Sequence, residues 1–173
     1  MPTLLDVRRL SLKTKSGSYL LKNIGFTLNP GEIIGIVGSS GCGKSTLAKT
    51  LLQLNDSKEL HSAEGEALFK GEDLLKMPSR TMRHVRGREI AIVFQEAQSA
   101  LNPLMTIGKQ ISESLKQTGA FTGRELKEHV LELLDTVGLS GKAMISAYPH
   151  EMSGGMRQRA LIAIAIAQKP DLL

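Results

Sequence analysis

Three features of the sequence predict an α/β fold. Residues 32–37 (EIIGIV) form a short apolar run with β-branched side chains, the pattern of a buried strand. Residues 46–54 (TLAKTLLQL) then place apolar side chains at helical spacing. Between the two stands Gly38-Ser39-Ser40-Gly41-Cys42-Gly43-Lys44-Ser45, which fits G-x-x-x-x-G-K-[ST], a phosphate-binding loop set where such a loop belongs, between strand and helix.

The chemistry of that loop follows from its residue types. Its glycines (Gly38, Gly41 and Gly43) let the backbone curl and turn its N–H groups toward a polyphosphate, with Ser39 in the same curl. A helix starting near Lys44 adds the positive end of its dipole. Lys44 is expected to reach the β- and γ-phosphates, Ser45 to ligate Mg²⁺ and Thr46 to touch the α-phosphate. Cys42 has two readings: a thiol made reactive by the helix end and Lys44, or a small residue tolerated at a variable position.

The other elements follow in order. Residues 3–13 (TLLDVRRLSLK) alternate imperfectly and predict an exposed strand, 15–18 a turn and 19–28 (YLLKNIGFTL) a second strand. Asn29-Pro30-Gly31 is a turn leading to the loop's strand. Residues 55–63 are polar and read as loop, and 65–75 as a strand, a turn at Lys70-Gly71 and a short continuation. Pro78 opens a short helix through Arg86 that Gly87 ends. Residues 89–94 (EIAIVF) predict a second buried strand that ends at Gln95. Helices are expected over 107–115 and 125–137, the latter with a stripe of Leu126, Val130, Leu133, Leu134 and Val137 and a stop at Gly138. Residues 140–149 read as irregular. Ser153-Gly154-Gly155 precedes a helix over 156–168 that Pro170 ends, and 171–173 look like the first step of a further buried strand.

Bulk properties narrow the function classes. The 173 residues suffice for one domain with a core. No apolar run approaches the ~20 residues of a membrane span, and residues 1–10 lack a signal-peptide pattern. The single cysteine excludes an internal disulfide and agrees with a reducing compartment. Net charge is +5 and the isoelectric point about 9.4. The densest basic run, Arg80 to Arg88, lacks the aromatics that stack on bases, so it reads as a solvated helix face and argues against nucleic acid. His61, His84, His129 and His150 show no metal-ligand spacing.

Two further sites have a double reading from their residues alone. Ser153 suits a helix N-cap, and Gly154 and Gly155 leave the first backbone N–H groups open, either as an anion site without a lysine or as an ordinary helix start. Gln95 is a neutral donor and acceptor at a strand end, able to touch Mg²⁺ or an attacking water, or simply a polar strand end.

Taken together, these motifs resemble the ATPase subunits of ABC transporters. Gly38 to Ser45 resembles Walker A, Gln95 the Q-loop, and Met152-Ser153-Gly154-Gly155-Met156 the signature, usually Leu-Ser-Gly-Gly-Gln. Gln98 to Pro103 and Tyr148 to Arg159 (YPHEMSGGMRQR) are similar to the peptide/nickel (oligopeptide, dipeptide) importer subgroup. The resemblance covers nearly the whole chain. It implies a P-loop NTPase (RecA-like) core with an N-terminal antiparallel β-region and a helical insert. Residues 1–173 would form a single, incomplete ABC ATPase domain, with 1–95 and 161–173 as the core and 96–160 as the helical subdomain.

The resemblance also implies a function and partners. ATP binding and hydrolysis, with Mg²⁺, would drive import of peptide, nickel or a similar small solute. Lys44 and Gln95 would serve catalysis, and Gln95 would join Ser45 at Mg²⁺. Ser153, Gly154 and Gly155 would close over the ATP of a second ATPase subunit, arranged head to tail; Met156 departs from the usual Gln there. Tyr19 fits either the aromatic that stacks on adenine or a half-buried strand tyrosine. Further partners would be transmembrane permease subunits and, indirectly, an extracytoplasmic solute-binding protein, with the chain peripheral at the cytoplasmic face of the cell membrane and no nucleic acid involved. Residues 96–107, stiffened by Asn102-Pro103, would receive the permease's coupling helix, with Ala100 and Leu101 as its apolar contact.

Phosphoryl transfer also needs a metal-binding carboxylate and a water-orienting group. The resemblance puts these, an Asp-Glu pair, at the end of the strand begun at 171–173 and a switch histidine further on, so the 173 residues by themselves are expected to bind nucleotide without hydrolysing it. Two rivals remain: a non-transport ABC ATPase acting on DNA or ribosomes, and a catalytically inactive nucleotide-binding fragment. Ser153 follows Lys44 by 109 residues without sustained heptads, which disfavours the DNA-repair kind.

Overall fold

The structure is a computed structural model that describes residues 3–56, 58, 60–95, 100–117 and 119–173. The chain divides into two compact units, Met1–His84 and Val85–Leu173, each taken by itself below.

In the first unit, alternating strands build an antiparallel sheet. Strands β1 (Leu5–Lys13), β2 (Tyr19–Leu28), β3 (Glu64–Phe69) and β4 (Glu72–Asp73) lie in the order β2-β1-β3-β4. The registers Leu5↔Leu28 and Lys13↔Tyr19 align β1 with β2, and Leu5↔Phe69 aligns it with β3. β1 is therefore central rather than an exposed strand, and its Leu5, Val7, Leu10 and Leu12 are buried. The sequence pattern showed the alternation, but not that both edges of β1 would be paired. Helix α1 (Lys44–Leu51) contributes Leu47 to the core and contacts β2. Helix α2 (Ser79–Val85) follows Pro78 and buries Met82.

The predicted strand over 32–37 does not form. Those residues pair with no described strand, and Ile33 and Val37 are 97% and 93% exposed. Apolar content marks a segment suited to burial, but a strand exists only through ladder partners, and the described residues supply none. The strand over 89–94 is corrected likewise. Only isolated bridging occurs there, including the parallel bridge Ile90↔Leu172, with Ala91 N–H donating to the Leu172 carbonyl at 2.9 Å. Ile90 and Ala91 are buried, whereas Phe94 is exposed. The expected start of a strand at 171–173 amounts to that bridge.

The rest of the second unit is a helical cluster of α3 (Ile107–Lys116), α4 (Gly123–Thr136), α5 (Gly141–Met144) and α6 (Gly154–Ile166). The α4 stripe buries Leu126, Val130 and Leu134 against Ile107, Ile111 and Leu115 of α3 and Ala160 and Ala163 of α6. Arg159 Nη1 donates to the Gly138 carbonyl at 3.0 Å, tying α6 to the end of α4. The region 140–149, read as irregular, contains α5, which Gly141 N–H joins to Asp135 Oδ1 at 2.8 Å. Leu101 is 3% exposed within this core, so it is not the surface contact expected of it. Leu104, 85% exposed, is the apolar residue that loop presents to solvent. Residues 96–99, including Gln98 and Ser99, lie outside the described residues.

Candidate nucleotide-binding site

Helix α1 begins at Lys44 itself, with Gly43 as N-cap at φ 101°. No side chain caps this end, so its first N–H groups remain open to an anion, as the motif requires. Gly43 is seated tightly: a Cβ there would lie 2.8 Å from the Leu20 carbonyl oxygen and 3.0 Å from Leu21 Cδ2, both on β2. Gly41, at φ 80°, faces open space. β2 thus fixes the end of the loop from which α1 starts.

The lysine holds the loop together. Lys44 Nζ donates to the carbonyls of Gly38 at 2.8 Å and Ser39 at 2.7 Å, and lies 3.6 Å from Cys42 Sγ. Cys42 N–H donates to the Ser39 carbonyl at 3.3 Å. An ammonium has three donors: two go to loop carbonyls and the third to the Cys42 sulfur, a weak acceptor that an incoming oxygen would displace. Ser45 is exposed and Thr46 partly so. These residues fit a Mg²⁺–polyphosphate: an open helix N-terminus, a cation already positioned, and a free hydroxyl. A crevice of about 520 Å³ lined by Thr50, Asn55, Asp56 and His61 lies elsewhere on the unit, and no loop residue lines it.

Glu32 stiffens the approach to the loop. Its carboxylate accepts from Asn29 N–H at 2.8 Å and Asn29 Nδ2 at 3.1 Å, which holds Glu32 below the usual carboxylate range.

Tyr19 is 47% exposed at the start of β2. The ammonium groups of Lys13 and Lys22 stand 4.7 and 5.4 Å from its ring centroid. A hydrogen bond to Tyr19 raises the Lys13 ammonium above its ordinary value. The sequence reading passed over both lysines. Lys13 and Tyr19 flank the turn at 14–18 as a cross-strand pair, and that symmetry was the signal for at least one of them.

In the second unit, Gln95 is exposed in a bend. Ser153 caps α6 as expected, its Oγ accepting from Met156 N–H at 3.3 Å. Gly154 and Gly155 form the first turn of α6, and a Cβ on either would meet open space. Met152, by contrast, is buried in the helical core and anchors the motif from beneath. Gln158 Nε2 donates to the Phe94 carbonyl at 3.4 Å, a contact between the helix and the Gln95 segment that the sequence reading missed.

A glycine loop closed by its own lysine at a helix N-terminus, followed in the chain by a serine-capped Gly-Gly helix start, defines a P-loop nucleotide-binding domain. Comparison with known proteins narrows the class. The family described as ABC transporter matches residues 21–173, and the chain belongs to that family. It is 44% identical to the dipeptide transport ATP-binding protein DppD of Lactococcus lactis subsp. cremoris, over 98% of this chain and 50% of that one. Identity is likewise 44% to the peptidoglycan transport ATP-binding protein YejF of Agrobacterium fabrum, over 98% of this chain and 32% of that one, and 40% to the oligopeptide transport ATP-binding protein OppD of Bacillus subtilis, over 98% and 49%. The chain thus spans half or less of the length of these three relatives. Among solved structures, the dimeric structure of MJ0796, a bacterial ABC transporter cassette, matches at TM-score 0.82 and 29% identity, over 96% of this chain and 70% of that one. A second structure of that cassette, described as a post-hydrolysis state bound to ADP and Pi, matches equally well, at TM-score 0.82. Among the described residues, no helix is long and apolar enough to cross a membrane.

Proposed function

We propose that the chain is the nucleotide-binding part of an ATP-binding subunit that drives peptide import. Carrying this reading is the 40–44% identity along 98% of the chain to relatives named for dipeptide, oligopeptide and peptidoglycan transport. The loop geometry supports the nucleotide half of it. Lys44, braced on two carbonyls, turns the donor now on the Cys42 sulfur to the β/γ-phosphate oxygens. The open N–H groups of α1 receive the phosphates, and Thr46 touches the α-phosphate. Gly38, Ser39, Gly41, Cys42 and Gly43 line the cradle. Ser45 holds Mg²⁺, which when bound would offset charge on the phosphate oxygens. Gln95 is assigned to the metal or the attacking water, and Tyr19 to the base.

Ser153, Gly154 and Gly155 present an uncharged anion site. We assign it to the nucleotide held by a second ATPase subunit arranged head to tail. Binding would close that pair, and hydrolysis by the whole subunit would reopen it, moving permease subunits at the cytoplasmic face of the membrane; a solute-binding protein would deliver the peptide. Leu104 is the exposed apolar candidate for the permease contact.

The test is growth of an amino-acid auxotroph on a dipeptide that supplies the missing residue. A strain carrying Lys44→Ala in the gene should lose that growth while still using the free amino acid. Undiminished growth on a panel of dipeptides and oligopeptides would overturn the substrate class.

A further inference from the structure

We infer that Gln158 is a positioning residue that ties the signature helix α6 to the segment carrying Gln95. The inference rests on the reading of Gln95 above for its functional consequence, but not for the tether itself. Gln158 lies in the second turn of α6, five residues beyond the capping Ser153. Its Nε2 reaches the carbonyl of Phe94, 64 residues away in sequence, at 3.4 Å. Phe94 immediately precedes Gln95, and both are exposed.

The two sides of this contact are held very differently. α6 is fixed by Ala160 and Ala163, both fully buried, and by the bond from Arg159 to Gly138. The Gln95 segment is secured at Ala91 through the Leu172 carbonyl. From Ile92 to Gln95, the Gln158 amide makes the one hydrogen bond found among the described residues. That bond fixes the direction of the Phe94 carbonyl, and with it the peptide plane joining Phe94 to Gln95, because the peptide is rigid. A shift of α6 on engaging a partner's nucleotide would therefore reach the Phe94–Gln95 peptide directly through this side chain, beside the backbone bonds at Leu172. The length of 3.4 Å is at the long end for such a bond, so its effect is modest and lies in orientation rather than stability.

Two measurements test this. The first is NMR of the Phe94–Gln95 peptide in the nucleotide-free protein, reading the Phe94 carbonyl carbon shift and the order parameter of the Gln95 amide, for wild type, Gln158→Leu and Gln158→Glu. Gln158→Glu keeps the shape and loses the donor. In both variants the Phe94 carbonyl should shift upfield and the Gln95 order parameter should drop, with the order parameters of α6 unchanged. An unmoved carbonyl shift and order parameter overturn the tether. The second is the affinity for a fluorescent ATP analogue with and without Mg²⁺, in Gln158→Leu, Gln95→Ala and the double variant. Gln158→Leu should lose a fraction of the Mg²⁺-dependent affinity that Gln95→Ala loses, and the double variant should be no weaker than Gln95→Ala alone. Additive losses overturn the coupling. If Gln95→Ala alone leaves the Mg²⁺-dependent affinity at the wild-type level, it is the role given to Gln95 that fails, and the NMR result still decides the tether.

Discussion

Replacing Gly43 by alanine tests whether β2 seats the phosphate-binding loop. Two costs can be worked from the structure. The first is conformational: at φ 101° an L-residue sits in a sparsely populated region, at about 1–3 kcal/mol. The second is steric. The new methyl would lie 2.8 Å from the Leu20 carbonyl oxygen, a backbone atom that cannot rotate away, and 3.0 Å from Leu21 Cδ2. Forcing extra volume into such a seat costs about 1–3 kcal/mol. Gly41 is the internal control, because at φ 80° alanine meets the first cost and nothing within 4 Å. Urea unfolding followed by far-UV circular dichroism should therefore show Gly43→Ala as the less stable variant by about 1–3 kcal/mol, with equal slopes. Gly43→Ala should also bind nucleotide more weakly, since relief of the clash moves the start of α1. Equal stabilities for the two variants would refute the seat on β2.

Two more perturbations probe the remaining structure. Leu101→Ala should cost about 2–5 kcal/mol in urea unfolding because Leu101 packs in the helical core, whereas Leu104→Ala should stay within about 0.5 kcal/mol; the reverse order would misplace the loop. The carboxyl of Asp73 is opposed by burial but held below its usual range by Lys76 and by the N–H groups of Ala67 and Leu75. Its lowered folded value makes its contribution to stability complete above the ordinary carboxylate pKa of about 3.9 and progressively lost as pH falls below that. Thermal midpoints of wild type and Asp73→Asn should therefore differ near neutrality and converge in acid, and a gap that widens in acid would contradict this ionisation.

Much of the fold was legible because local chemistry decided it. The β2 boundaries, the turn at Lys70-Gly71, the α4 stripe and the Ser153 cap were each readable from a handful of neighbouring residues. What failed depended on partners distant in sequence. EIIGIV carries every mark of a buried strand and forms none among the described residues, since pairing is not encoded in the strand itself. β1 became central because β3, which begins only at Glu64, pairs with its other edge. Leu101 was assigned to the surface because a polar, proline-stiffened loop gave no sign that one of its leucines turns into the helical core. At the site, the residue types of Gly38 to Ser45 announced the loop. Neither the bracing of Lys44 on the Gly38 and Ser39 carbonyls nor the contact of Gln158 with Phe94 could be read without coordinates.

The central claim is that Lys44, braced within the loop, holds a nucleotide's phosphates. The direct measurement is titration of wild type and Lys44→Ala with a fluorescent ATP analogue in the presence of Mg²⁺. The Lys44 donor that leaves the weak Cys42 sulfur makes a charge-assisted hydrogen bond to phosphate, for which about 1.5–3 kcal/mol is expected, so affinity should fall by roughly tenfold or more. Circular dichroism of the two proteins should match, which separates lost binding from lost folding. Equal affinities for wild type and Lys44→Ala would contradict the claim.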